Sequence, residues 1–276
     1  MAMLTSCLPA CLDRIDKEEF IMNFNAEQEA RHIVSWIQNW FSNKGDGTTA
    51  VIGISGGKDS TIAAALTAKA LGPDRVLGVL IPNGHQADLD DAKRVVRTLG
   101  ICGTIVNIGG VTAAIEQAIL DGEPVDGEKI PMEITSDIRI NIPPRVRMTI
   151  LRAHAQSRGR LINTCNLSEN YIGYSTKDGD STGDVAPLEE YTVTELIQIG
   201  LTDYLSLPHD LVVKTPADGL CGKSDEENIG FSYAVLDRFI RTGKCDDSNV
   251  LAMINKRHNA NKHKLALMDS CKPLFI

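Results

Sequence analysis

The sequence predicts an α/β fold with a doubly wound parallel sheet and flanking helices. Short, continuously apolar runs alternate along the chain with longer segments that carry apolar residues at helical spacing. Continuous apolar runs are typical of strands covered on both faces, as in parallel sheets. A glycine-rich loop lies between the first apolar run and the next helical segment, an arrangement found at the carboxyl edge of such sheets.

The first strands and helices of this pattern lie between residues 26 and 81. Residues 26–41 have the apolar spacing of an amphipathic helix, and residues 50–54 (AVIGI) form the first predicted strand. An alanine-rich helix over residues 61–71 ends at a Gly-Pro pair. Residues 75–81 (RVLGVLI) form the second predicted strand.

The alternation continues beyond residue 81. A helix is predicted over residues 87–99, a strand over residues 104–108, a helix over residues 145–157 and a strand over residues 160–163. Residues 164–184 are polar and are predicted to form a loop. Because loops at the carboxyl ends of parallel strands line the ligand crevice, this loop should face the same site as the glycine-rich loop.

The C-terminal part of the chain is helical in pattern and closes the predicted fold. Helices are predicted over residues 194–205, 228–242 and 248–257. Residues 216–227 (PADGLCGKSDEE) are predicted to form a mobile loop. We expect residues 22–276 to form a single domain and residues 1–21 to be a loosely attached extension.

Composition narrows the classes of function. The formal net charge of −8 argues against a nucleic-acid partner, because phosphate neutralisation needs an excess of Lys and Arg. The seven cysteines are scattered and include no C-x-x-C pair, so a reducing, cytoplasmic setting is favoured over a disulfide framework or a zinc site. No apolar run approaches the ~18 residues of a membrane span, so no membrane partner is expected.

The loop over residues 55–60 (SGGKDS) is the strongest candidate for a ligand site. Bare backbone N–H groups before a helix N-terminus can hold phosphate oxygens. A Walker loop is excluded, because only three residues separate Gly53 from Gly57 and Asp59 stands where the hydroxyl residue should be. A dinucleotide-binding G-x-G-x-x-G pattern is also absent. The alternative is a turn without a ligand, in which Asp59 is only a favourable first-turn acid.

The loop resembles the pyrophosphate-binding loop of the adenine nucleotide alpha hydrolase-like (ATP pyrophosphatase) superfamily. Those enzymes cleave ATP between the α- and β-phosphates. Further blocks resemble the ammonia-dependent NAD synthetase family and follow that family's order. These blocks are residues 53–60 (GISGGKDS), 81–86 (IPNGHQ), 145–148 (RVRM), 163–170 (NTCNLSEN), 174–187 (YSTKDGDSTGDVAP) and His263-Lys264.

The resemblance implies that the chain joins ammonia to the nicotinate carboxylate of deamido-NAD. ATP would adenylate that carboxylate and release pyrophosphate, and ammonia would then displace AMP to give NAD. The loop amides would hold the departing pyrophosphate while Mg²⁺ neutralises its charge. The resemblance also implies a homodimer with deamido-NAD at or near the subunit interface, and residues 216–227 are expected to close over ATP.

The resemblance also implies roles for individual residues. It assigns Mg²⁺ to Asp59 and Glu169, and catalysis to Asp59 and Asp184. An acid beside a carboxylate substrate would be repulsive unless it served ammonium or an amide contact, so Asp184 is expected to act near the nicotinate and ammonia. The ATP-binding residues would be Gly53, Ile54, Ser55, Gly56, Gly57, Lys58, Asp59, Ser60 and Thr164. Deamido-NAD would be bound by Arg145, Lys177, Asp184, His263 and Lys264.

Two positions depart from the family pattern. Val193 stands where family members often carry Lys, and Ala217 stands where they often carry Thr or Ser. Because both positions are associated with ATP, Lys214 or Lys223 would have to replace the missing contacts.

Three alternatives stay open at this point: another amidating enzyme of the superfamily, a tRNA-modifying enzyme, and a non-catalytic nucleotide-binding module. The acidic charge and the absence of paired cysteines disfavour a tRNA enzyme. A binding module would have no need of the pair Asp59 and Glu169.

Overall fold

A parallel four-stranded sheet with helices on both faces forms the centre of the molecule in a computed structural model. The structure describes residues 24–45, 47–127, 132–214, 224–266 and 270–271. The predicted extension over residues 1–21, Ala217 and Lys223 lie outside the described residues, as do residues 216–223 of the predicted mobile loop.

The strands confirm the doubly wound parallel prediction. They are β1 (Thr49–Gly53), β2 (Val76–Leu80), β3 (Cys102–Ile105) and β4 (Gly159–Ile162). Their spatial order is β3-β2-β1-β4, and every pairing is parallel. The chain builds the sheet outward from β1 to β3 and then returns to place β4 on the other side of β1. This reversal places a crevice at the carboxyl ends of β1 and β4.

Eleven α-helices surround the sheet in the described residues. They are α1 (Ala26–Lys44), α2 (Lys58–Leu71), α3 (Leu89–Leu99), α4 (Gly109–Leu120), α5 (Ser136–Arg158), α6 (Leu167–Ile172), α7 (Val193–Gly200), α8 (His209–Val212), α9 (Asp225–Ile229), α10 (Tyr233–Thr242) and α11 (Ser248–Asn261). Short 3-10 turns occupy Pro73–Arg75 and Lys262–Lys264.

The core lies on both faces of the sheet. Ala50 and Ile52 of β1 pack in one apolar cluster with α1, α2, α3 and α7, whereas Val51 packs on the opposite face against α5. Burial on both faces explains the apolar runs of β1 and β2, whereas β3 is largely exposed. A third cluster, which includes Ile172 and Leu236, joins α6, α7, α9, α10 and α11 beside the crevice.

Helix α5 is longer than the sequence pattern predicts. It starts at Ser136 rather than Arg145 and contains Pro143 and Pro144 within its span. Proline removes a backbone donor and disfavours a helix interior, but the Thr135 side chain caps the helix by accepting the Ile138 N–H at 3.3 Å. The helix also buries Ile142 and Val146 against the sheet. The pattern did not indicate α4, which begins with two glycines.

Two further boundaries differ from the sequence expectation. Helix α6 occupies part of the segment 164–184 that was predicted to be a loop, because Asn166 and Glu169 close its first turn as a capping box. The helix predicted over residues 228–242 is divided into α9 and α10. Gly230 has a φ of +88° and ends α9, and Ser232 caps α10.

Candidate active site

A cleft of about 950 Å³ opens at the carboxyl ends of β1, β2 and β4. The loop after β1 forms one wall, and residues of α5, α6 and α11 form the others. Thr164, which follows β4, also lines the cleft. This volume suits a nucleotide together with part of a second substrate.

The glycine-rich loop presents an anion site to this cleft. Helix α2 begins at Lys58, and its N-cap residue Gly57 provides no capping side chain. The first backbone N–H groups of a helix have no acceptor within the helix and are available to a phosphate. Hydrogen bonds within the loop fix its shape: the Ser55 and Ser60 hydroxyls are 3.0 Å apart, and the Gly57 N–H donates to Ser55 Oγ at 3.1 Å.

Gly56 is required by the backbone of this loop. Its φ of +86° lies in the left-handed region, which favours glycine. A Cβ at this position would lie 2.7 Å from the Asp88 carbonyl oxygen and 2.9 Å from the Ala92 nitrogen. The loop therefore packs directly against the N-terminal end of α3.

The Lys58 side chain is engaged by carboxylates. Its Nζ donates to Asp59 Oδ2 at 2.6 Å, and only 2% of the side chain is exposed. Burial by itself lowers the pKa of this ammonium. Asp59, Glu169 and Asp225 raise it by more, so the pKa lies above its usual value. Lys58 is therefore a charged group inside an acidic pocket.

Asp59 and Glu169 are brought together at the floor of the cleft. Asp59 lies in the first turn of α2, and Glu169 lies in α6. The reversal of strand order therefore brings together two segments that are distant in sequence. Burial and the neighbouring Asp59 carboxylate raise the pKa of Glu169 well above its usual range. Added positive charge beside Glu169 would favour its ionised form.

This carboxylate pair fits a magnesium ion. Asp59 Oδ1 is buried and has no hydrogen-bond partner among the described residues, while Oδ2 is held by Lys58. The described part of the chain offers no group of three or more His, Cys, Asp and Glu side chains suited to a metal. Two carboxylates are sufficient where substrate phosphates and water complete the octahedron.

Glu169 is positioned by the start of α6. The Asn166 side chain accepts the Glu169 N–H at 2.9 Å, and the Asn166 N–H donates to Glu169 Oε2 at 3.3 Å. The adjacent Ser168 hydroxyl donates to Asp237 Oδ1 at 2.5 Å and accepts the Val193 N–H at 3.0 Å. These bonds fix α6 to α7 and α10.

The residues expected to bind deamido-NAD are divided between two surfaces. Lys264 lines the cleft, where its Nζ donates to the Gly173 and Ser175 carbonyl oxygens at 2.8 and 3.0 Å. Lys177 donates to the His263 carbonyl oxygen at 3.1 Å, and Arg145 Nε donates to the Lys177 carbonyl oxygen at 3.2 Å. These bonds connect the 3-10 turn Lys262–Lys264 and helix α5 to the segment that follows α6.

Arg145 faces a separate groove between α4 and α5 rather than the cleft. This groove of about 420 Å³ is lined mainly by apolar side chains, including Ile115, Ile119 and Ile142. The imidazole Nδ1 of His263 lies 3.1 Å from the Ala260 carbonyl oxygen, and the residue is exposed.

Asp184 is held away from the cleft lining. Arg152 Nη1 donates to Asp184 Oδ1 at 2.5 Å, and the Leu161 N–H donates to Asp184 Oδ2 at 2.8 Å. The carboxylate thus connects α5 to β4 and is not among the described residues that line the cleft.

Some cleft residues received no role from the sequence. Arg147 joins two of the sequence blocks by donating from Nε to the Ile81 carbonyl oxygen at 3.0 Å. Asp225 is buried beside Lys58 and accepts from the Tyr174 hydroxyl at 3.3 Å. An acid at a helix start is a common surface feature, so the sequence contained no specific signal for Asp225.

Val193, a position associated with ATP, and Lys214, a predicted substitute for the missing contacts, have different surroundings. The Val193 side chain is buried in the cluster of C-terminal helices rather than in the cleft. Lys214 lies at the cleft, but its Nζ donates to Asp88 Oδ1 and Asp91 Oδ2 at 2.5 and 2.6 Å. Lys214 therefore lies near the glycine-rich loop, and its ammonium is already paired with two carboxylates.

Known proteins resemble this chain over most of its length. The NAD synthase family model matches residues 29–268. The NH(3)-dependent NAD(+) synthetase of Pyrococcus furiosus is 38% identical over 192 residues, which are 69% of this chain and 70% of that protein. The corresponding protein of Carboxydothermus hydrogenoformans is 30% identical, with coverage of 88% and 96%.

Solved structures resemble the fold as well. NMN synthetase from Francisella tularensis has a TM-score of 0.79 and 30% identity, with coverage of 92% of this chain and 100% of that one. NAD+ synthetase from Burkholderia pseudomallei has a TM-score of 0.70 and 28% identity, with coverage of 89% and 92%.

The fold and the phosphate loop together define an adenine nucleotide alpha hydrolase-like protein that uses ATP. Within that class, the chain belongs to the NAD synthase family. As a member of that family it is a ligase of NAD biosynthesis. The expectations of fold, family and reaction class drawn from the sequence are confirmed.

Proposed function

We propose that this cleft performs ammonia-dependent synthesis of NAD, with Mg²⁺ held by Asp59 and Glu169. The observation that carries the proposal is the juxtaposition of an uncapped helix N-terminus with two carboxylates, one of which has a buried oxygen with no hydrogen-bond partner in the described part of the chain. A phosphate site beside a cation site is what cleavage of ATP at the α-phosphate requires.

The first step forms the adenylate. A carboxylate oxygen of deamido-NAD attacks the α-phosphorus of ATP, and the bond to the oxygen of the β-phosphate breaks. The N–H groups at the start of α2 hold the departing pyrophosphate. Mg²⁺ supplies charge neutralisation at the phosphates.

The second step forms the amide. Ammonia attacks the activated carbonyl carbon, AMP leaves with the electron pair of the broken C–O bond, and a proton is lost from nitrogen. Before this step the adenylate must be kept from water.

The assembly and location of the protein are parts of the same proposal. A homodimer is supported by the family resemblance and by the apolar groove between α4 and α5 that also carries Arg145. In such a dimer Arg145 would reach deamido-NAD at the subunit interface. No helix in the described residues is long and apolar enough to cross a membrane. We propose a cytoplasmic location from the scattered cysteines.

A second candidate substrate is nicotinic acid mononucleotide. The resemblance to NMN synthetase from Francisella tularensis, with its TM-score of 0.79, favours this possibility. The mononucleotide carries the same nicotinate carboxylate, so the chemistry at the phosphate loop would be unchanged. The two substrates differ in the contacts made beyond the ribose phosphate.

The proposal predicts turnover with ammonium and none with glutamine. The family model matches residues 29–268, and the chain covers 96% of the NH(3)-dependent NAD(+) synthetase of Carboxydothermus hydrogenoformans, which supports ammonia as the nitrogen source. Purified protein should form NAD, AMP and pyrophosphate from deamido-NAD, ATP, Mg²⁺ and ammonium chloride. Ammonia-free glutamine should give only the background rate.

The same assay separates the substrates when deamido-NAD and nicotinic acid mononucleotide are supplied in turn. A larger kcat/KM with deamido-NAD is the expected result. A larger value with the mononucleotide would replace the proposed substrate by the second candidate. Equal rates with glutamine and ammonium would overturn the proposed nitrogen source.

Asp184→Ala is predicted to impair the use of ammonia more than the binding of ATP. The measurement is the KM for ammonium and for ATP in each variant, with Asp184→Asn as the matched control for charge. Because Asp184 also bonds to Arg152 and to the Leu161 N–H, the melting temperature must be measured in parallel. A rise confined to the KM for ATP would contradict the assigned role.

A further inference from the structure

Lys58 lies in an acidic pocket that the proposed reaction does not explain. Its ammonium bonds to Asp59, its pKa is raised partly by Glu169 and Asp225, and it lies 5.9 Å from the centre of the Tyr233 ring. The residue is only 3% exposed although it begins a helix at the wall of an open cleft. A lysine free to reach phosphates would not be buried against carboxylates.

Lys58 lies among three acids. Asp59, Glu169 and Asp225 each act on its ammonium, which offsets part of their negative charge when they are ionised. Among the described residues, Lys58 is the cation that forms an ion pair with Asp59. Without Lys58, the three acids would repel one another in the ligand-free protein.

Lys58 also determines which oxygen of Asp59 is available. The ammonium holds Oδ2, and Oδ1 is left buried and without a hydrogen-bond partner among the described residues. A carboxylate fixed through one oxygen presents the other in a single orientation, which favours coordination in the strict octahedral geometry of Mg²⁺.

We propose that Lys58 is a positioning residue that serves as an internal counter-cation: it orients Asp59 toward Mg²⁺ and lowers the affinity of the empty cleft for the free ion. This inference rests on the proposed metal site. Its consequence is an order of binding. Free Mg²⁺ is repelled by the ammonium, whereas Mg²⁺ bound to ATP is also held by the loop amides.

The test compares the binding of Mg²⁺ to the wild type and to Lys58→Met, without nucleotide and with a non-cleavable α,β-methylene analogue of ATP. The readout is the melting temperature as a function of MgCl₂ concentration. Without nucleotide, Lys58→Met should be half-saturated at a Mg²⁺ concentration about tenfold lower than the wild type, because one repulsive charge a few ångströms away is removed. In the absence of Mg²⁺ the variant should melt at a lower temperature.

Two controls separate local charge from other effects. Lys44→Met removes the same charge from an exposed position at the end of α1 and should leave the Mg²⁺ response unchanged. The double variant Lys58→Met/Asp225→Asn restores the charge of the pocket and should return half-saturation toward the wild-type concentration. Lys58→Gln is used in the same assay if Lys58→Met does not fold.

The outcomes distinguish the inference from the proposed function. If the wild type with the ATP analogue shows no response to Mg²⁺, the metal site itself is wrong. If the wild type responds but the Lys58 variant needs the same or more Mg²⁺, the counter-cation role is wrong. A loss of affinity for the analogue measured without Mg²⁺ would instead make Lys58 a phosphate ligand and would also overturn the inference.

Discussion

Asp59→Asn and Glu169→Gln are each expected to slow adenylation by about 100-fold or more while leaving the fold intact. Groups that stabilise the charge of a transition state typically contribute effects of about this size. The replacements are nearly isosteric, and Asp59→Asn retains an oxygen that can accept from Lys58. Both variants should also require a higher Mg²⁺ concentration for half-maximal rate, since a carboxamide is a weaker ligand than a carboxylate.

The measurement is single-turnover release of pyrophosphate against Mg²⁺ concentration, with circular dichroism to confirm folding. Glu189→Gln provides a matched control, because this exposed acid lies outside the cleft lining. A normal magnesium response in both folded variants would refute the paired-carboxylate assignment. A loss in only one of them would leave that residue as the metal ligand and exclude the other.

Gly56→Ala is expected to abolish ATP binding and to destabilise the protein. The alanine Cβ would lie 2.7 Å from the Asp88 carbonyl oxygen, and backbone atoms cannot yield without displacing the loop from α3. Overpacking of this kind costs about 1–3 kcal/mol, and the left-handed backbone adds about 1 kcal/mol for a residue with a side chain.

Chemical denaturation and ATP titration together check this prediction. Gly110→Ala is the matched control, because a Cβ there meets no atom within 4 Å and the residue lies in α4. That control should keep wild-type affinity for ATP and match or exceed wild-type stability. An active, equally stable Gly56→Ala protein would show that the loop has a different conformation in solution.

The sequence predicted the sheet well because its strands obey a local rule. Strands β1 and β2 are buried on both faces, so their apolar runs marked them to within a few residues, and the predicted bounds of β4 differ from the observed bounds by one residue at each end. Strand β3 begins at Cys102, although the prediction placed it over residues 104–108. This edge strand is more exposed than the others, and its apolar signal is correspondingly weaker.

The less local features were not predictable from the pattern. The predicted helix began at Arg145, directly after two adjacent prolines. Helix α5 nevertheless extends through these prolines, because its buried face packs on the sheet. The split between α9 and α10 depends on the left-handed backbone of Gly230, and glycine within a helical pattern does not by itself specify a break.

The candidate site was only partly predictable for the same reason. Motif resemblance singled out Asp59 and Glu169, and both line the cleft. The resemblance did not indicate that Lys58 turns toward those acids or that Asp225 joins them, because Asp225 and Tyr233 reach Lys58 from segments that are distant in sequence. The predicted role of Asp184 remains a prediction, since its bonds to Arg152 and β4 describe only its position within one chain.

The buried carboxylate of Asp237 has a consequence for how this protein can diverge. One of its oxygens accepts from Ser168 beside Glu169, and the other accepts from the Thr194 N–H at 2.8 Å at the start of α7. Replacing Asp237 removes the acceptor of both the Ser168 hydroxyl and the Thr194 N–H, so the residues at these points of α6, α7 and α10 are constrained together. Swapping α10 between relatives should therefore succeed only when the segment that carries Ser168 is exchanged with it.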